Sequence, residues 1–178
     1  MITNKINLRP GHPIHTLMAE HEIILGFLDR LEKVNLVIQK ISDFKEQKEL
    51  EELVNIAEHL VEAEPHHKRE EEVLFPEMEK RGVFGPPEMM RLEHAELRKS
   101  KEELKMLSQS FREENFLALK EKLDGTSKFI ISFLREHILK ENNVLYPMAL
   151  EAIPEENVWQ KMKLECDKIG YCCFTPTK

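Results

Sequence analysis

The sequence has little cysteine, little glycine and no long apolar run, and each shortage excludes a class of protein. Three cysteines in 178 residues, with no CxxC pair among them, cannot supply a disulfide framework or a cysteine-based zinc site. That usage fits a reducing cytoplasm, the expected location. No stretch approaches the ~18 apolar residues of a membrane span, and the opening MITNKINLRPGH lacks a signal peptide's apolar region. Six glycines and short β-branched runs leave strands little support. A cationic surplus is missing too. The net charge of −7 argues against a nucleic-acid partner, because phosphate binding needs a concentrated basic surface.

What is present is the mix of soluble amphipathic helices, 41% hydrophobic and 33% charged, long enough to bury a core. Leu17, Ile24, Leu25, Leu28, Leu31 and Leu36 recur at helical steps, and Pro13 fits a first turn, predicting a helix to about Ile38. Ser42-Asp43 can cap a second helix carrying Leu50, Leu53, Ile56, Leu60 and Leu74, stopped at Arg81-Gly82. A third runs from Pro86-Pro87 through Met90, Leu97, Leu104 and Leu107. After a break at Ser110 to Asn115, a fourth holds Leu119, Leu123, Phe129, Phe133, Ile138 and Leu145. Pro154 opens a short fifth around Trp159 and Met162. Pro65 predicts a bend, and Pro76 and Pro147 each predict a kink or an end. The expected fold is all-α: an up-down-up-down four-helix bundle over 10–150, with a C-terminal helix and tail over 151–178.

An internal repeat runs through these helices. His66-His67-Lys68-Arg69-Glu70-Glu71-Glu72-Val73-Leu74-Phe75-Pro76 aligns with His137-Ile138-Leu139-Lys140-Glu141-Asn142-Asn143-Val144-Leu145-Tyr146-Pro147 at an offset of 71. Both copies share His-x3-Glu followed by Val-Leu-aromatic-Pro. Glu20-His21 likewise matches Glu93-His94 at an offset of 73. Each half thus carries a lone helical histidine and, further on, a His-x3-Glu pair.

Residues four apart share a helix face with Cβ atoms roughly 5–6 Å apart. His66 with Glu70, and His137 with Glu141, can each offer an imidazole and a carboxylate to one place. His21 and His94 lie on faces shared with apolar residues. Inward histidines and carboxylates from four helices make the core metal site that bundles support; the ferritin-type arrangement instead uses Glu-x-x-His, which neither repeat displays. A lone histidine on an apolar face is more often a hydrogen-bonded core residue, and glutamate-rich helices are usually solvated. Two matched copies outweigh that reading, and burying six such groups without a cation is costly. His59 lies two turns from His66, roughly 10 Å along the axis, and His12 and His15 fall off the ligand face. His67 points about 100° from His66, yet it pairs with Glu71 at the same spacing, so the register of the second helix stays open between Glu70 and Glu71.

These motifs resemble the haemerythrin-like, His-His-Glu cation-binding family across roughly residues 10 to 150. His12-Pro13-Ile14-His15, Leu74-Phe75-Pro76 and Pro86-Pro87 are similar to the branch found in multidomain bacterial and archaeal proteins. There a PAS-type sensor domain often follows, and Asp167 to Phe174 resembles the junction leading into it. The resemblance implies two non-haem irons bridged by Glu70 and Glu141, with His21, His66, His94 and His137 as terminal ligands. Oxygen-carrying members have two histidines four apart on the third helix; here Met90 and Arg98 flank His94 instead. Two histidines per iron would leave open positions on both, and the set is similar to that of the family's iron–sulfur-cluster repair proteins.

Imidazole and carboxylate suit iron, manganese or zinc, and the resemblance selects iron. Residual positive charge in an apolar bundle favours oxo or hydroxo bridges and small ligands that become anionic on binding: dioxygen, peroxide or nitric oxide. Close packing excludes larger substrates. The expected function is a di-iron centre that binds or senses such a ligand and relays its state to an attached or separate partner. The competing expectation is an enzyme that reduces nitric oxide or peroxide, or that donates iron for cluster repair. A homo-oligomer is compatible with either. Glu20, Glu62 and Glu93 are candidates to hydrogen-bond the ligand histidines. Cys166, Cys172 and Cys173 read most simply as reduced thiols packed by the tail, and the methionines as core filler.

Overall fold

The computed structural model describes residues 8–42, 44 and 47–176, with the side chain of Gln47 excepted. Within them the elements are all helical: α1 (Pro13–Lys40), α2 (Gln47–Val61), α3 (Glu64–Arg69), α4 (Phe75–Glu79), α5 (Gly85–Ser110), α6 (Phe116–Lys140), α7 (Tyr146–Ala152) and α8 (Glu156–Ile169). A π turn, Glu70–Leu74, joins α3 to α4, and a second, Glu141–Leu145, joins α6 to α7. The four-helix bundle with a short C-terminal helix is thus present, α2 to α4 together making its second member. No helix among the described residues is long and apolar enough to cross a membrane.

The first helix shows how local sequence sets an end. Pro13 occupies the first helical position, where its missing N–H costs nothing. His12 caps it: the Ile14 N–H donates to His12 Nδ1 at 3.2 Å, and the His12 carbonyl accepts from Thr16 at 3.1 Å. The ring packs on Trp159, centroids 4.5 Å apart. Burial, with Arg9 and His15 nearby, pushes the His12 pKa down to about 4. A protonated Nδ1 cannot accept the cap bond, so stability is lost as pH falls from the unfolded value of about 6.5 through about 4. His12→Asn, which still caps, is expected to flatten the melting-temperature profile across that window.

Asp43, one of the expected caps of the second helix, lies outside the described residues; Ser42 is exposed and non-helical. At Pro65 the helix does break, with Glu62 and Ala63 in a turn and Pro65 in the first turn of α3. Pro76 and Pro147 behave differently from the expected kink or end. Each sits in the first turn of a new α-helix that continues directly from a π turn. The Phe75 and Tyr146 N–H groups reach back five residues to the carbonyls of Glu70 and Glu141. One extra residue in the turn accommodates a proline that lacks an N–H and would collide with the carbonyl four residues before it.

The chain forms two compact units. Unit 1 comprises 1–23, 63–94 and 136–178, and unit 2 comprises 24–62 and 95–135. The chain alternates between them along its length. Buried residues of unit 2 come from α1 (Phe27, Leu28, Leu31, Val34, Ile38), α2 (Leu53, Ile56, Leu60), α5 (Leu97, Leu104) and α6 (Leu123, Ile130, Ile131, Leu134). Two expected core residues are exposed instead. Leu36 lies five residues, about 140°, from Leu31, and Phe129 stacks on Phe133 at the surface. In unit 1, Ile14, Leu17, Leu74, Phe75, Met78, Leu145, Tyr146, Trp159 and Met162 belong to one apolar cluster.

Candidate metal centre

Unit 1 gathers the repeat's histidines and glutamates into its interior. His21, His66, His94, His137, Glu70 and Glu141 are each at most 2% exposed. The i, i+4 spacing operates in both copies: His66 Nε2 lies 3.5 Å from Glu70 Oε2, and His137 Nε2 lies 3.1 Å from Glu141 Oε1. His21 Nε2 stands 3.1 Å from His66 Nε2 and 3.0 Å from Glu141 Oε2. His94 Nε2 is 3.4 Å from Glu70 Oε2 and 3.5 Å from Glu141 Oε1. Glu141 therefore offers one oxygen to each group of histidines. Glu70 sets its Oε2 between them, while its Oε1 accepts from the Tyr146 hydroxyl at 2.8 Å.

His67 joins this set, contrary to the expectation that it points away. It is 3% exposed and its ring stacks on His94 with centroids 4.0 Å apart. Two clusters result, His21–His66–Glu141 and His67–His94–His137, and Glu70–His94–Glu141 lies within the same group. The reason is the width of a buried helix face, which exceeds 100°. Neighbouring residues 100° apart can straddle it, His66 toward His21 and His67 toward His94. Of the two glutamates, Glu70 is the one that faces the clustered nitrogens, while Glu71 turns to the back of His94.

Every repeat histidine is anchored through its other nitrogen. The Nδ1–H groups of His66, His137 and His94 donate to Glu20, Glu93 and Glu71 at 2.7, 2.8 and 2.7 Å. That of His21 donates to Asn142 at 2.9 Å. Such bonds fix the tautomer and leave the Nε2 lone pairs facing inward. The glutamate preceding each lone histidine bonds a histidine of the next bundle helix, as expected for Glu20 and Glu93; Glu62 is exposed. Sequence reading weighed Glu71 only as an alternative to Glu70 and passed over Asn142, although each follows the inward glutamate of its repeat.

The electrostatics are those of a site built around positive charge. Burial, with Glu141 beside it, drives the Glu70 pKa well above the carboxylate range. Burial would raise Glu141 too, yet His137, His21 and His94 hold it well below. Burial likewise opposes ionisation of Glu20, but His66 and Arg69 hold it down to about 2. The Nε2 atoms of His94 and His137, Oε2 of Glu70 and both oxygens of Glu141 are buried without a hydrogen-bond partner. Two donors ~2.1 Å from one ion and at right angles lie ~3 Å apart. The inward atoms are spaced in that way, and the donor set fits transition-metal cations.

Other residues fall outside. His59 bonds the Asn55 carbonyl in unit 2, and His15 is only partly buried. Cys166 and Cys172 are buried free thiols, pushed up by burial to about 11 and about 12, and Cys173 is exposed. No curated protein matches the chain. The family model described as Hemerythrin HHE cation binding domain matches residues 12–149. With that match spanning the helices that deliver the clustered histidines and glutamates, the chain belongs to the haemerythrin HHE cation-binding family.

Proposed function

We propose that the centre holds two iron ions, bridged by Glu70 and Glu141, and binds or senses a small ligand such as dioxygen, nitric oxide or peroxide. The observation that carries this reading is the facing of His21 Nε2 and His66 Nε2 at 3.1 Å. With both Nδ1–H groups engaged elsewhere, two lone pairs point at each other, an arrangement a cation relieves. Iron is the metal the family commonly takes, and it would supply ligand binding and redox chemistry here.

His67 alters the expected balance of two histidines per iron. It gives the His94–His137 side three imidazoles, supplying from the second helix what Met90 and Arg98 do not supply on the third. The His21–His66 side keeps two, so exchangeable positions belong there. Donors this deeply buried favour diatomic or peroxide-sized ligands. A relay of the centre's state to an attached PAS-type module or a separate partner belongs to the same reading.

One feature bears on the enzymatic alternative: the Tyr146 hydroxyl is a hydrogen-bond donor inside the site, and burial beside Glu70 and Glu141 raises its pKa well above the phenol range, so it orients Glu70 and keeps its proton. Anaerobic iron loading with metal analysis, then optical spectra before and after air, nitric oxide or peroxide, tests both. Two irons per chain and a stoichiometric spectral change support sensing. Repeated turnover supports the enzyme. A folded protein that takes up no metal and keeps its melting temperature on iron addition ends both.

A further inference from the structure

The carboxylate behind His66 is held partly from outside the ligand-bearing helices. Glu20, fully buried, accepts from His66 Nδ1, from Arg69 at 2.6 and 2.7 Å, and from the Thr175 hydroxyl. Thr175 lies in a segment that leaves α8 at Gly170, whose φ of 92° is a conformation glycine adopts freely. The segment turns back on itself, the Thr175 N–H donating to the Cys172 carbonyl at 2.9 Å. Two more of its side chains meet Arg69: the guanidinium carbon stands 4.7 Å from the Tyr171 ring centroid, and a guanidinium nitrogen is 4.0 Å from Cys172 Sγ.

The repeat supplies an internal comparison. Glu93, His137 and Lys140 occupy the positions of Glu20, His66 and Arg69 in the other half. Glu93 likewise accepts from His137 and from Lys140. The Lys140 side chain is 33% exposed and the Arg69 side chain 2%. Behind His137 the trio meets solvent; behind His66 it meets the C-terminal segment.

We infer that residues 170–175 form a strap over the Glu20–Arg69 pair, so that seating of this segment and orientation of His66 are one coupled equilibrium. The inference rests on the metal reading above. A seated strap fixes Glu20, and Glu20 fixes the tautomer and direction of His66, whose side of the centre carries the exchangeable positions. Arg69 and Thr175 are positioning residues that act through Glu20. Linkage is reciprocal: an ion held by His66 tightens the strap by the factor by which the strap tightens the ion. A ligand event at that ion is thereby transmitted to the C-terminal segment.

The test uses the full chain, metal-free and loaded anaerobically with cobalt(II). Hydrogen exchange of peptides covering 170–176 is measured in both states. Metal release to a chelator and the cobalt absorption band are compared for wild type, Thr175→Val and Thr175→Ser. Loading is expected to slow exchange in the segment about tenfold. Thr175→Val is expected to speed release of one ion about fivefold and shift its band, and Thr175→Ser, which keeps the hydroxyl, to behave as wild type. Two ions per chain with equal exchange in both states and unchanged release from Thr175→Val overturn the strap and leave the centre standing. Equal acceleration of both ions marks general loosening and also overturns it. Uptake of fewer than two ions by wild type defeats the metal reading, and the strap with it.

Discussion

Alanine at His66 or His137 is expected to reduce bound metal from two ions per chain to well under one and to lower the melting temperature of the loaded protein by about 10 °C. Each imidazole stands 3.1 to 3.5 Å from an inward glutamate oxygen and has its far nitrogen tied to a carboxylate. Removing it deletes a donor that is already oriented. A ligand that binds only the folded state stabilises it by ~2.7 kcal/mol at a hundredfold excess over Kd, and 1 kcal/mol shifts melting by about 2–4 °C in a chain of this size. The comparison that isolates the metal is between metal-free proteins, where the variants should melt within a few degrees of wild type. His59→Ala should retain both ions, because His59 lies in unit 2 and bonds the Asn55 carbonyl. Two ions per chain in either site variant would reject the ligand assignment.

Arg69→Met is expected to destabilise even the metal-free chain by about 3–5 kcal/mol, the range for breaking a buried ion pair by removing one partner. Arg69 and Glu20 are 2% and 0% exposed and make two hydrogen bonds. Methionine keeps the volume of the side chain and leaves the carboxylate without its counter-charge. The equivalent change in the other half, Lys140→Met, should cost about 1 kcal/mol or less, because that pair is partly solvated. Chemical denaturation of the two variants reads the difference directly. Glu20→Gln on top of Arg69→Met should recover part of the loss, since the buried charge is then gone. Equal costs for Arg69→Met and Lys140→Met would show that burial behind His66 carries no special weight.

The helices and the repeat were legible because both rest on local rules. The 3.6-residue period marks buried faces over long segments, and four-residue spacing puts His66 with Glu70 and His137 with Glu141 on common faces. Errors arose where a neighbour rather than the period decided. Leu36 and Phe129 sit on faces the surroundings leave open, and His67 was placed outside by treating the inward face as a single line. The response to Pro76 and Pro147 was also beyond reading, because a helix can bend, stop or insert a residue at a proline. Here it inserts one, at the same place in both halves and starting on the inward glutamate.

By itself the sequence determined an all-helical chain, four long helical stretches and a duplicated histidine–glutamate pattern, because periodicity, proline and glycine act within a few residues. Only tertiary structure decided which nitrogen of each imidazole faces inward, that His67 belongs with His94 and His137, and that residues from the C-terminal segment close over Arg69. Those outcomes depend on partners 23 to 155 residues away along the chain, and sequence spacing carries no information about such meetings until the helices have packed.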